Sequence, residues 1–196
     1  MANSPKGESS LARRVAAGKA AAETIFPILK EKFGAAILEE NLENLDPFVV
    51  IDPTVIYDFA LFCRDTEELQ FDLLSLVSTV DYLAGEGAGA RGDDDQGDAV
   101  QAGHVEVVYI LDSTVHKHRI LVKVRLPRDN PRIASVEKIW RAADWHEREA
   151  FDLMGVIFEG HHNLVRILCA EDWEGHALRK DYVIPERYHG IKNIVY

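Results

Sequence analysis

An α+β fold, a two-layer arrangement of a mixed sheet covered by helices, is what three features of this 196-residue chain predict. Apolar residues recur at helical intervals near the start and again just before Gly155. Between these stretches lie short runs with the two-residue alternation of strands. The resulting order, α-β-β-α-β-β-β with a further helix and a long aperiodic tail, lacks the regular strand–helix alternation of a purely parallel sheet.

Residues 1–9 read as a disordered lead. From Ser10 a helix follows on Leu11, Val15, Ala22, Ile25, Phe26 and Leu29, with Pro27 expected to kink or split it and Gly34 to stop it. Ala36–Glu39 and Phe48–Ile51 read as short strands around a turn. Asp52 caps a second helix that has Pro53 at its first position and runs to about Cys63. Phe71–Leu83 is ambiguous, its first half readable as helix and Val77–Tyr82 as strand. Gly85–Gly103 is glycine- and aspartate-rich without apolar period, which predicts a flexible insert over 84–103. His104–Asp112 and Arg119–Leu126 form the clearest hairpin, apolar on one face. Ser135 is expected to cap a short helix to about Arg141. Asp144 is expected to cap the main one, with Glu147 as its capping-box partner, a buried stripe of Ala143, Ala150, Phe151 and Met154, and Gly155 as the stop. The chain thus divides into an α+β domain over 10–155 and an extended C-terminal arm over 156–196.

Charge and cysteine content exclude several function classes. A net charge of −11 repels nucleic-acid phosphates and anionic lipid. Cys63 and Cys169 lie in no C-x-x-C arrangement and cannot supply the four thiolates that an iron–sulfur cluster or structural zinc site takes, so both read as reduced, buried thiols. No run of about 18 apolar residues is present to span a bilayer, and Met1–Ser10 lacks the apolar stretch of a secretory signal.

The tempting short motifs fail on context. Gly87, Gly89 and Gly92 satisfy G-x-G-x-x-G, but no helix follows, and Asp93–Asp95 stand where phosphates would belong. The same acidic run is no calcium loop, because Gly97 replaces a ligand. His146-Glu147 lacks the second histidine of H-E-x-x-H, since Ala occupies position 150. His161, His162 and His176 read as structural histidines beside turns rather than as metal ligands or catalytic groups. No catalytic, cofactor or metal residue is therefore expected in this chain.

Asp144–Pro185 carries the most information. Charges and aromatics crowd there with no amphipathic period after Gly155, as in recognition loops. Candidate partner-contacting residues are Glu147, Arg148, Glu149, Arg166, Trp173, Arg179, Lys180 and Asp181. Arg148 is expected to pair with an acid, within the fold or across an interface, and Trp173 beside the arginines resembles the centre of an interface.

These blocks also resemble a known family. Glu147–Gly155 (EREAFDLMG), Phe158–His161 (FEGH), Arg166–Leu168 (RIL) and Asp172–Tyr182 (DWEGHALRKDY), with Lys123–Pro127 and Ser135–Trp140 upstream, are similar to the C-type, 30 kDa subunit family of proton-translocating NADH:quinone oxidoreductase, respiratory complex I. The resemblance implies a cofactor-free peripheral-arm protein that packs on the D-type (49 kDa-like) subunit at the quinone site, with FMN and the iron–sulfur clusters in other subunits. It implies location at the cytoplasmic face of the bacterial inner membrane, with membrane contact only through the complex and no nucleic acid bound. The homologous subunit of a membrane-bound hydrogenase or a photosynthetic-type NDH complex is the alternative within the family, and a metallohydrolase using His161, His162 and His176 is the alternative outside it. The chain departs from the family pattern at His162 and Ala177, where proline usually follows Gly-His.

Overall fold

The computed structural model describes residues 10–42, 44, 46–85 and 103–193, without the side chains of 10–14 and 17. The lead at 1–9 and residues 86–102 of the insert lie outside the described residues.

Helix α1 (Ser10–Phe33) runs unbroken through Pro27, and a 3-10 turn at Gly34–Ala36 leads into β1 (Ile37–Asn41). Strand β2 (Phe48–Ile51) follows and is buried along its whole length. Asp52 caps as expected, accepting from the Thr54 amide at 2.8 Å, but the turn it starts is 3-10 (Pro53–Val55) before α2 proper (Ile56–Asp65). Strand β3 spans Leu73–Tyr82, which corrects the half-helical reading of this stretch. The ladder to the next strand extends back to Leu73, and an irregularity between Leu74 and Leu76 breaks the alternation by which the strand would be recognised.

Strands β4 (His104–Asp112) and β5 (Arg119–Pro127) form the expected hairpin, with Val105, Val107, Tyr109 and Leu111 opposite Leu126, Val124, Val122 and Ile120. The five strands are ordered β1-β2-β5-β4-β3, with β2 parallel to β5 and every other pair antiparallel. This is the predicted mixed sheet. Its apolar face packs Ile25 and Leu29 of α1, Phe59 and Cys63 of α2 and the apolar stripe of the last helix into one core. On the opposite face Glu106 is enclosed between Lys123 at 3.0 Å and Arg125 at 3.5 Å.

A short strand β6 (Arg132–Ala134) comes next, and Ser135–Arg141 is a run of turns rather than a helix. The Ser135 amide donates to the Glu159 carbonyl at 2.8 Å, which commits that backbone to the neighbouring ladder. Trp140 anchors the turns by donating from Nε1 to the Phe71 carbonyl at 2.9 Å. Helix α3 (Ala143–Met154) then starts one residue before Asp144, with Ala142 at its cap position and no side-chain cap, so the expected capping box is absent. Within the anticipated stripe, Ala143, Ala150 and Met154 are buried and Phe151 is half-buried. Strand β7 (Ile157–Glu159) pairs in parallel with β6, and β8 (Arg187–Tyr188) with β9 (Ile191–Lys192) makes a small hairpin near the end of the described chain. Cys63 and Cys169 are free; Cys63 is buried and Cys169 half-buried.

Candidate partner interface

The expected partner-contacting residues gather around α3, but most of their charge is used inside the chain. Glu147 shows how. Its spacing from Ala143 and Ala150 puts it on the buried stripe, where it is 0% exposed. The carboxylate accepts from the Ser135 hydroxyl at 2.5 Å and the Val136 amide at 2.8 Å, so it closes the turn before α3 and faces no partner. Burial pushes it up to about 7, only partly opposed by these two donors.

Among the described residues Arg148 meets no acid. Its guanidinium donates to the carbonyls of Val165 at 3.1 Å and Arg166 at 3.3 Å, because the arm folds back across the helix and presents backbone oxygens there. Arg166 finds an acid in Asp152, at 2.7 Å, and also donates to the Gly175 carbonyl at 3.0 Å. The other Asp152 oxygen accepts three consecutive arm amides, Ile167 at 3.0 Å and Leu168 and Cys169 at 2.8 Å. Burial raises the Asp152 carboxyl, yet the three amides and the guanidinium outweigh burial and bring it to about 2.

A helix leaves its last four carbonyls without partners along its own ladder, and here the arm supplies most of them. The Gly155 amide takes the Phe151 carbonyl at 3.0 Å. Arg166 and His176 meet the Asp152 carbonyl at 3.1 and 3.0 Å. The Leu178 amide meets that of Leu153 at 3.0 Å, and Arg179 that of Met154 at 2.8 Å. Arg166 and Arg179 thereby set positive charge where the helix dipole favours it. Gly155 makes the arrangement possible. Its φ is +75°, and a Cβ there would stand 2.5 Å from the His176 ring. Gly155→Ala is expected to cost about 2 kcal/mol, combining the left-handed penalty with displacement of His176 from its carbonyl. Chemical denaturation checks this, and an unchanged midpoint would rule it out.

Further along, Arg128 joins the arm to the sheet. It holds Asp81 of β3 at 2.7 Å and Asp181 at 2.9 Å, while the Lys180 amide donates to Asp81 at 2.9 Å. The Arg128 guanidinium holds the Asp81 carboxyl below its ordinary range. Trp173 lies 5.0 Å from the Tyr188 ring, and its Nε1 and the Tyr182 hydroxyl are buried without a hydrogen-bond partner among the described residues. Glu149 and Lys180 are exposed, the Lys180 ammonium lying 5.9 Å from the centre of the Tyr82 ring.

Between and beyond these anchors, large apolar side chains are exposed. Trp145 on α3 and Val165, Leu168, Leu178, Val183, Ile184 and Ile191 on the arm account for seven of the thirteen such residues among those described. Sequence reading located the segment but missed Asp152, Asp81 and Arg128 as its anchors. For Arg128 and Asp81 no local pattern exists, since their partners lie 47 to 99 residues away. Nor do the three suspected histidines converge, because His176 lies against Gly155 while His161 and His162 stack on each other at 5.3 Å.

An α+β domain whose last helix holds an ordered arm with exposed apolar side chains has the form of a component of a larger assembly. Residues 49–188 match the family described as respiratory-chain NADH dehydrogenase, 30 Kd subunit. The sequence is 42% identical over 172 residues to the C-type subunit of NADH-quinone oxidoreductase from Chloroherpeton thalassium, covering 87% of this chain and 64% of that longer relative. It is 42% identical over 169 residues to the corresponding C-type protein of Chlorobium phaeobacteroides, covering 85% of this chain and 92% of the relative. Among solved structures, a trypsin-resistant fragment of Nqo5 superposes with a TM-score of 0.52 at 25% identity, covering 74% of this chain and 99% of that one. A chain of an archaeal respiratory membrane complex, the membrane-bound sulfane sulfur reductase, superposes with a TM-score of 0.62 at 24% identity, covering 83% and 86%, and shows the shared fold. The chain belongs to the 30 kDa subunit family of respiratory-chain NADH dehydrogenase, which includes the C-type subunits of NADH-quinone oxidoreductase.

Proposed function

We propose that this chain is a peripheral-arm subunit of an NADH:quinone oxidoreductase that carries no redox centre of its own and scaffolds the D-type, 49 kDa-like subunit at the quinone site. In this reading NADH is oxidised on FMN in another subunit, electrons pass through iron–sulfur centres elsewhere to quinone, and proton translocation belongs to the whole complex. The chain sits on the cytoplasmic face of the membrane and reaches the bilayer only through its partners. No helix among the described residues is long and apolar enough to cross a membrane, which agrees with that placement.

The observation that carries the reading is the row of exposed apolar side chains on an arm anchored through its polar groups to α3. A ready-made apolar ledge of this kind suits burial against a fixed partner. Because Arg166 and Arg179 hold the arm to its own helix, substitutions there mix folding with docking. Leu178, 61% exposed, and Val183, 83% exposed, separate the two. Leu178→Asp with Val183→Asp is expected to leave the melting temperature of the chain unchanged. It should weaken capture of the co-expressed D-type subunit at least tenfold, or about 1.4 kcal/mol. Unchanged capture by the double variant would remove the arm from the interface.

A further inference from the structure

We propose that Glu137, Asp144, His161 and His162 form a binding site for one divalent transition ion of the zinc class. The four residues come from three separate places: the turns after β6, the first turn of α3 and the start of the arm. One ligand atom from each lies within 4.8 Å of all the others. Two imidazole nitrogens and two carboxylate oxygens make a donor set that zinc accepts, and one that calcium or magnesium does not favour.

Two edges on the buried side already have the length that a tetrahedral site needs. With ligand bonds of roughly 2.0–2.1 Å, the edges of a tetrahedral site measure roughly 3.4 Å. His161 Nε2 stands 3.4 Å from Asp144 Oδ1 and 3.6 Å from Glu137 Oε2. The remaining short edge, His162 Nδ1 to Glu137 Oε2 at 2.5 Å, must open by roughly 0.9 Å for an ion of this geometry. The His162 side chain is 59% exposed and can swing that far, whereas those of His161 at 0% and Glu137 at 7% are fixed. Glu137 is further oriented by its other oxygen, which accepts the His162 amide at 2.8 Å, in the way outer contacts fix metal-bound carboxylates.

Asp144 Oδ1 supplies the independent sign of a missing ligand. It is shielded from solvent and makes no hydrogen bond among the described residues, with only the 3.4 Å approach of His161 Nε2 beside it, a costly state for a carboxylate oxygen that a cation would relieve. In the ion-free chain His161 Nδ1 accepts the Asn163 amide at 3.0 Å, so its proton sits on Nε2, directed at the Asp144 carbonyl at 3.1 Å. Binding moves that proton to Nδ1 and turns the amide of exposed Asn163 to water. Sequence reading gave these histidines to backbone turns; the geometry assigns them a second role, pinning the arm's first residues to the start of α3.

Calorimetric titration of the metal-stripped full-length chain with zinc sulfate, with cobalt(II) as the spectroscopic substitute, tests the site. One equivalent of zinc and the intense visible absorption of four-coordinate cobalt are expected. Asp144→Asn and His162→Ala should each lower the affinity at least about tenfold with the circular dichroism spectrum unchanged. Should the Asp144 variant fail to fold, the exposed His162 variant decides alone. Absence of stoichiometric binding, only the weak absorption of six-coordinate cobalt, or wild-type affinity in His162→Ala would each overturn the assignment.

Discussion

Asp152→Ala is expected to destabilise the chain by about 3–5 kcal/mol, the range for removing one partner of a buried ion pair. The substitution strands the Arg166 guanidinium and deprives three consecutive amides, those of Ile167, Leu168 and Cys169, of their acceptor at once. Thermal unfolding should shift strongly downward, and limited proteolysis should cut first within 160–182. The same carboxylate sets an acid limit. Its folded value of about 2 lies below the ordinary 3.8, so its stabilisation is complete above about pH 4 and drains away as pH falls toward 2. An Asp152→Ala chain that melts like wild type at pH 7, with an arm equally resistant to protease, would show that the carboxylate does not hold the arm.

Glu147→Gln is expected to act in the opposite direction, with an effect that grows as pH rises above about 4.5. Burial raises this carboxyl from 4.5 to about 7 in the folded chain. Below pH 4.5 both folded and unfolded forms carry the proton, and no penalty exists. As pH rises from 4.5 to 7 the unfolded chain ionises first, so folding loses stability, by about 3 kcal/mol in full at pH 8. Glutamine keeps an acceptor for the Val136 amide and presents a donor to Ser135, whose hydroxyl can rotate to suit. The variant should match or fall slightly below wild type at pH 4.5 and exceed it at pH 8, with a flatter stability profile between. Parallel profiles for the two chains across pH 4.5–8 would mean that Glu147 titrates normally.

Sheet and helices were readable from periodicity wherever neighbours in sequence decide the structure. The β4–β5 hairpin and the Gly155 stop of α3 are such cases, each set by local alternation or a left-handed glycine. β3 was only half readable, since a bulge shifts its pattern partway along. The Ser135 turn and the capping box were misread for one shared reason. A serine followed by turn formers and an acid three residues into a helix are local signals, and tertiary contacts overrode both by drawing Ser135 and Glu147 toward each other. Asking which residues share a face with Ala143 and Ala150 would have placed Glu147 inside. In the arm the sequence marks the residue types without marking which oxygens they meet. Arg148, Arg166 and Arg179 are candidate partner contacts whose acceptors the sequence leaves open, inside the fold or across an interface, and all three satisfy oxygens of their own chain. A guanidinium in a sequence does not reveal whether its acceptor lies within the fold.

Transferring the α3 terminal carbonyls to the arm has a consequence for the timing of order. Segments that fold only on meeting a partner lose conformational entropy at that moment, and the loss weakens association. Here the helix end is incomplete until residues 166–179 lie against it, so the arm orders when the chain itself folds. Association then proceeds between preformed shapes, and little backbone freedom remains to be lost. A chain built in this way has its arm in place once folded and joins an assembly as a finished part.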